Sequence, residues 1–119
     1  MIEVSFLMGD KSRLTVKGHG GCRTEQGGDI VCAACSIVTT MIAQTLEDHP
    51  DVFAVESSRL NSGDAELVWK TAGEKVKDAS LMLEPLILGY RLLAQDYGKY
   101  LNLRIMQKSS SSKDFCKTI

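Results

Sequence analysis

The sequence lacks an excess of charge of either sign. Its 119 residues carry 14 basic and 15 acidic side chains, which give a formal net charge of −1. Non-specific nucleic-acid binding needs a basic surface that displaces counterions from phosphates, so this charge balance argues against direct nucleic-acid binding. The hydrophobic content of 44% and the charged content of 24% are those of an ordinary soluble domain. The length predicts one domain with a single core.

Long hydrophobic runs are also scarce. Glu3 interrupts the amino terminus, and no apolar stretch follows basic residues there, so no secretory signal peptide is expected. The apolar stretch 80–90 contains Glu84 and stops before Arg91, well short of the roughly 20 residues that span a membrane. We therefore expect no membrane partner and a cytoplasmic location. In that compartment cysteines serve as thiols, metal ligands or catalysts rather than as structural disulfides.

The hydrophobic periodicity predicts an α+β fold with the element order β-β-α-β-β-α-β. A two-residue period indicates strands, and apolar residues three or four apart indicate helices. The predicted elements are strands over 1–8 and 14–18, a helix over 30–46, strands over 52–56 and 65–70, a helix that stops near Gly98, and a strand over 101–105. Short connections favour two helices packed on a mainly antiparallel sheet. Residues 1–106 form the predicted domain, and the Ser-rich residues 107–119 are predicted to be a disordered tail.

Capping residues predict where the two helices begin. Asp29 is a good N-cap for the first helix, since its carboxylate can accept the unpaired amides of the first turn. Thr71 and Glu74 have capping-box spacing at the start of the second helix. Pro85 leaves two alternatives: the helix kinks there, or it begins near Glu84 with the proline in its first turn.

The chemistry-bearing residues concentrate in one segment, GHGGCRTEQGGDIVCAACS, over residues 18–36. If Asp29 caps the helix, Cys32 lies in its first turn, where the backbone amides and the helix dipole stabilise a thiolate. His19 lies at the end of a strand across a Gly-rich loop, and a neutral imidazole within reach could accept the thiol proton. This arrangement predicts nucleophilic catalysis by Cys32 with His19 as the base.

Two other chemistries fit the same segment. His19, Cys22, Cys32 and Cys35 form a possible zinc set, because tetrahedral zinc accepts three thiolates and one imidazole. A non-catalytic, zinc-stabilised adaptor is therefore the alternative function. Cys32 and Cys35 also have the spacing of a redox dithiol. The helical register instead predicts that Cys35 is a small buried hydrophobic residue.

The segment resembles the ribosomal-processing cysteine protease family, known as Prp. The signature of that family is Gly-His-x-Gly, a loop, and then Asp-Ile-Val-Cys-Ala-Ala-x-Ser. The matching residues here are Gly18, His19, Gly21, Asp29, Ile30, Val31, Cys32, Ala33, Ala34 and Ser36. The order of strands and helices extends the resemblance over roughly residues 1 to 106.

The resemblance implies a cytoplasmic, homodimeric endopeptidase that needs no cofactor or metal. Members remove a short N-terminal extension from large-subunit ribosomal protein number twenty-seven. By this resemblance Cys32 is the nucleophile and His19 the proton acceptor, with Asp29 and Ser36 as supporting residues. From the residues alone, Asp29 either orients His19 or only caps the helix. The resemblance further implies that the loop over 20–28 covers the substrate, and the glycines assigned to this substrate loop are Gly18, Gly20, Gly21, Gly27 and Gly28.

Overall fold

The computed structural model describes residues 1–19, 26–108 and 114–118. Its strands are β1 (Ile2–Met8), β2 (Lys11–Lys17), β3 (Phe53–Asn61), β4 (Asp64–Thr71), β5 (Leu101–Lys108) and β6 (Asp114–Thr118). Its helices are α1 (Gln26–Asp48) and α2 (Val76–Asp96), and a 3-10 turn at Gly73–Lys75 leads into α2. The predicted order β-β-α-β-β-α-β is confirmed for the elements from β1 to β5.

The strands form one six-stranded sheet in the order β3-β4-β2-β1-β5-β6. Neighbouring strands are antiparallel except for β1 and β5, which pair in parallel. The predicted α+β fold with a mainly antiparallel sheet is therefore confirmed. The register pairs Lys17 at the end of β2 with Asp64 at the start of β4. This pairing brings the end of β2 beside the turn that joins β3 to β4.

The core lies on one face of the sheet, under both helices. Alternate residues such as Val4, Phe6 and Leu14 are at most 1% exposed, because side chains in a strand point to opposite faces. The other face is polar. It carries Glu66 within 3.6 Å of Arg13 and 3.8 Å of Arg59. These exposed ion pairs contribute little to stability, so burial of the helix-covered face dominates.

Helix α1 is unusually apolar for a helix that exposes one of its sides. Its residues 30–48 have a mean hydropathy of 1.6 and are long and apolar enough to span a membrane by length and composition alone. The expectation that no stretch reaches this length was therefore wrong. Core helices pass the same test, and α1 buries Val31, Ile42 and Leu46 completely. The excess hydropathy comes from a second, exposed apolar face that includes Ile37 and Met41.

Both helices begin differently from the prediction. Asp29 is the fourth residue of α1 rather than its N-cap, because the helix starts at Gln26. Gly27 has a low intrinsic helix propensity, but propensity is a weak preference that tertiary packing overrides. In the turn before α2, Ala72 is the N-cap and no side chain caps the helix, so the Thr71–Glu74 capping box does not form.

Pro85 lies inside the continuous helix α2, which excludes a start near Glu84. A proline there leaves the carbonyl of Leu81 without its helical donor. Both positions are exposed, so water can solvate that carbonyl. One turn further along α2, Gly89 packs against α1: a Cβ at this position would lie 3.0 Å from Cγ2 of Val38.

The tail prediction needs correction for residues 114–118. They form β6, which pairs antiparallel with β5 and extends the sheet at its edge. Composition could not reveal this, because the exposed edge of β5 supplies the hydrogen-bonding partners from outside the tail. Residues 109–113 and 119 lie outside the described parts of the chain.

Candidate active site

The end of β2 places His19 beside the turn between β3 and β4. Gly18 follows β2 with a φ of +97°, a conformation that favours glycine. Its N–H donates to the carbonyl oxygen of Gly63 at 3.0 Å. The strand register and this hydrogen bond together fix where the chain leaves the sheet, and His19 is the next residue.

The backbone and the ring of His19 each have a contact that positions them. The amino group of Met1 donates to the carbonyl oxygen of His19 at 2.7 Å. The imidazole lies against Gly63, where a Cβ would come within 2.7 Å of both its Cε1 and Nε2 atoms. Gly63 has a φ of +72°. The turn therefore needs glycine here for its backbone, and the ring uses the space that the missing side chain leaves.

Helix α1 supplies the opposite wall of a cavity of about 230 Å³. Cys32 and Ser36 lie one turn apart on this helix and both line the cavity, as their spacing predicts. His19 lines the same cavity from the other side. The structure thus brings together five residues singled out from the sequence: Gly18, His19, Cys32, Cys35 and Ser36.

The remaining residues predicted for the site lie elsewhere or outside the described parts. Gly27 and Gly28 belong to the first turn of α1, so the loop is shorter than predicted. Asp29 lies within α1, and its side chain is outside the description, so its role stays a prediction. The predicted loop glycines Gly20 and Gly21 also lie outside the described residues.

Cys32 lies deeper in the helix than expected. It is the seventh residue of α1, about 9 Å along the axis from the first residue. The prediction that it lies in the first turn is therefore wrong. The effect of the helix dipole fades within that turn, so the dipole does little to stabilise a thiolate at Cys32. Activation of this thiol would then need a neighbouring base, and His19 is the histidine that lines the cavity.

Cys35 lines the same cavity but is more deeply buried than Cys32. It is 3% exposed and belongs to the core, which confirms the prediction that it is a buried residue. Burial raises the pKa of its thiol from 9.0 to about 11, although a hydrogen bond with Thr39 opposes the shift. The hydroxyl of Thr39 also lies 2.6 Å from that of Tyr90, deep in the core. Cys35 therefore remains a neutral thiol at neutral pH, which makes it a poor nucleophile.

The zinc set of the alternative function is not assembled by the residues that are described. Among these, no group of three His, Cys, Asp or Glu side chains is arranged to hold a metal ion. Cys22, one of the four predicted ligands, lies outside the described part of the chain.

Sequence reasoning missed one wall of the cavity. The end of β3, the turn after it and the start of β4 contribute six consecutive residues, from Leu60 to Ala65. Their composition identified a turn but gave no sign that it faces Cys32. The signal was the strand pairing: once β2 is placed beside β4, the turn must meet the residue that follows β2.

These features define a class: a two-layer α+β domain in which a histidine and a cysteine from separate elements face one cavity, as a thiol peptidase requires. The model of the cysteine protease Prp family matches residues 1–102, and the chain belongs to this family of cysteine proteases. No curated protein matches the chain.

Three solved structures share the fold. The essential ribosomal processing protease Prp from Staphylococcus aureus with a substrate peptide is 17% identical, with a TM-score of 0.62 over 88% of this chain and 99% of that one. The same protease with a covalently linked product peptide is 16% identical, with a TM-score of 0.58 and the same coverage. The protein SMU.848 from Streptococcus mutans is 22% identical, with a TM-score of 0.61 over 90% of this chain and 95% of that one.

Proposed function

We propose that this cysteine protease removes the N-terminal extension of large-subunit ribosomal protein twenty-seven in the cytoplasm. The observation that carries the proposal is the placement of His19 and Cys32 on one cavity in a chain of the Prp family. Two structures with the same fold come from a ribosomal processing protease and hold a substrate peptide or a product peptide. The cytoplasm is where such a precursor is made and where the thiol of Cys32 stays reduced.

The reaction has two chemical steps. In the first, Sγ of Cys32 attacks the scissile carbonyl carbon while the thiol proton passes to the imidazole of His19. The C–N bond then breaks, the leaving amine takes the proton from His19, and the acyl group stays on Cys32 as a thioester. In the second, water attacks the thioester and gives its proton to His19. The departing thiolate recovers that proton, and the N-terminal product leaves with a new carboxylate.

The cavity walls suit a peptide held across the helix. Ser36 and Thr40 place exposed hydroxyl groups along α1, although the Thr40 hydroxyl donates to the carbonyl of Ser36 at 2.8 Å. The facing turn keeps its shape because Arg59 donates to Asp64 at 3.0 Å. Substrate contacts therefore come from the hydroxyl of Ser36 and from the polar residues 61–62, which also line the cavity.

The direct test is cleavage of the extended ribosomal protein, followed by mass spectrometry of both products. We expect one cut near the junction of the extension, and its complete loss in Cys32→Ala. Cys35→Ala is the matched control, since it removes a thiol one turn away that does not react. Cleavage by Cys32→Ala at the parent rate would refute the assignment of the nucleophile. An uncut precursor with the parent enzyme would refute the substrate.

We also propose that the enzyme is a homodimer that associates through the exposed apolar faces of the two helices. On α1, Ile37 and Met41 are 63% and 48% exposed, and on α2, Leu88 and Leu92 are each 50% exposed. Apolar clusters of this kind mark interaction surfaces. Sedimentation should show a dimer that dissociates in Leu88→Lys and persists in Val55→Lys, a control on the exposed surface of β3. A monomeric parent would refute the proposal.

A further inference from the structure

Strand β3 forms one edge of the sheet, and among the described residues no strand pairs with its outer side. Its last two residues, Leu60 and Asn61, line the active-site cavity together with Cys32. An edge strand presents unpaired N–H and C=O groups that can pair with another extended chain. This edge therefore starts at the reactive cysteine and leads away from it along β3.

The turn after β3 decides which backbone groups of the strand face outward. Asn61 pairs with Asp64 across two turn residues, and the closing pair of a two-residue hairpin exchanges hydrogen bonds across the turn. Inward and outward groups alternate along an antiparallel strand. Leu60 and Ser58 therefore direct their N–H and C=O groups away from β4, and the segment 58–60 offers two donors and two acceptors at the open edge.

The helices leave the inner face of this edge uncovered. Leu60 pairs with Ala65, and Ser58 pairs with Leu67. Directly paired residues share a face of the sheet, so all four lie on the side of the helices. Ala65 and Leu67 are 8% and 1% exposed, whereas Leu60 is 47% exposed. An extended peptide along the edge thus has an exposed apolar side chain to pack against beside the cavity.

The size of the active-site cavity calls for binding contacts outside it. Its volume of about 230 Å³ is below the 300–1,000 Å³ of typical small-molecule sites. The cavity can therefore hold only the part of a peptide next to the scissile bond. The edge of β3 continues directly from the cavity, and its backbone groups fit an extended peptide of any sequence.

A bulge limits the length of the regular edge. The register of β3 against β4 shifts between Val55 and Ser57. Bulges disrupt the ladder and twist an edge strand, which protects sheets from associating edge to edge. The regular part of the edge, over 57–61, therefore suits a short peptide segment better than the β3 edge of a second copy of the chain.

We propose that the substrate peptide binds by strand addition: its residues on one side of the scissile bond pair with the outer edge of β3 over 58–60. The N–H and C=O groups of Leu60 and Ser58 bond to the peptide backbone and align the scissile carbonyl with Sγ of Cys32. This inference rests on the proposed function, and it adds how the enzyme holds the backbone of its substrate.

The test is N-methyl scanning of a synthetic peptide that spans the junction of the extension. The two residues at the scissile bond stay unmodified, and each other residue is N-methylated in turn. Strand addition directs every second N–H of the peptide toward β3. We therefore expect two positions, two residues apart, at which methylation raises KM about fivefold or more with little change in kcat. The residue between them is the matched control, because its N–H points away from β3.

A proline in β3 tests the same contact from the side of the enzyme. Ser58→Pro removes one outward N–H, and edge strands accept proline where the N–H lies outside the ladder. We expect KM for both the peptide and the full precursor to rise about fivefold. Gly73→Pro is the control, since it places a proline at the start of the 3-10 turn, and it should cleave like the parent. Thermal unfolding checks that both variants fold.

Three outcomes would overturn the proposal. If the parent cut the precursor but methylation mattered at every position or at none, strand addition would be wrong and the proposed function would stand. If the parent cut neither the peptide nor the precursor, the proposed function would fail and this inference with it. If Ser58→Pro changed the association state in sedimentation, the edge would be occupied by a second copy of the chain.

Discussion

The active-site cavity and a second cavity, of about 300 Å³, lie at opposite ends of β1, yet their chemistry differs. The first gathers four ionisable residues from separate parts of the chain: His19, Cys32, Cys35 and Asp64. The described lining of the second is uncharged and holds the buried indole of Trp69 together with hydroxyl side chains such as Ser12 and Thr71. The same sheet thus has a reactive end, at the cavity lined by Cys32, and a neutral end, at the cavity lined by Trp69. The difference arises at the reactive end, where β2, the turn after β3 and helix α1 meet.

Removal of the base should have the largest effect at the reactive end. We expect His19→Ala to lower kcat for precursor cleavage about 10²–10⁴-fold, the range typical of general acid–base catalysis. His19 is exposed, so the midpoint of thermal unfolding should stay close to that of the parent. Trp69→Phe at the neutral end removes an indole N–H and is the comparison, with little effect expected on cleavage. Parent-like kcat in His19→Ala would require another base.

A Cβ introduced at Gly63 should displace the imidazole of His19 without removing it. In Gly63→Ala the new atom would lie 2.7 Å from two ring atoms of His19, and misplacement of a reacting group by about 1 Å can cost about 10²-fold in rate. Steady-state kinetics should show this loss mainly in kcat, with KM less affected.

The matched control for that variant is Gly73→Ala, since a Cβ at Gly73 has no neighbour within 4 Å. The positive φ of Gly63 adds a stability cost of about 1–2 kcal/mol, measured separately by denaturant unfolding. If Gly63→Ala lost stability but kept the parent kcat, the glycine would serve only the turn.

Substitution of Cys35 tests whether its thiol takes part in the reaction together with that of Cys32. Cys35→Ala should keep precursor cleavage within about threefold of the parent, because the neutral, buried thiol takes no part in the reaction. It should lower the free energy of unfolding by about 1 kcal/mol through the small cavity it leaves. Loss of cleavage in a folded Cys35→Ala protein would favour the dithiol alternative.

The smallest expected effect is a decline in the free energy of unfolding at alkaline pH. Burial raises the pKa of Cys35 from 9.0 to about 11 and also raises the pKa of Tyr90 above its usual 10.0. The unfolded chain then loses protons before the folded one does, so the stability from these neutral groups is full below pH 9 and declines as the pH rises toward 11. Urea titrations between pH 8 and 11 should show the decline, and Cys35→Ala should reduce its slope. If stability declined with the same slope in Cys35→Ala as in the parent, the raised pKa of Cys35 would be contradicted.

Periodicity was sufficient to predict the fold. Alternation in β1 and the apolar spacing of α1 follow directly from burial on one face, and the structure confirms both elements. Helix starts were harder to predict. Asp29 has ideal capping chemistry, but α1 begins three residues earlier, so the local capping preference does not decide where this helix starts.

The candidate site was predictable for the residues in the motif and not for their neighbours. His19, Cys32 and Ser36 belong to one sequence segment, and the cavity contains all three. Gly63 is far away in sequence and enters the site through the pairing of β2 with β4. Strand pairing is a long-range property that residue patterns in a single segment do not encode.

The most direct test is to trap the acyl-enzyme. The parent enzyme is mixed with the extended ribosomal protein, quenched in acid within one turnover, digested and sequenced by tandem mass spectrometry. We expect the N-terminal fragment of the substrate as a thioester on Cys32, with none on Cys35, and no adduct on Cys35 in Cys32→Ala. A thioester on Cys35, or cleavage without any thioester, would contradict this expectation.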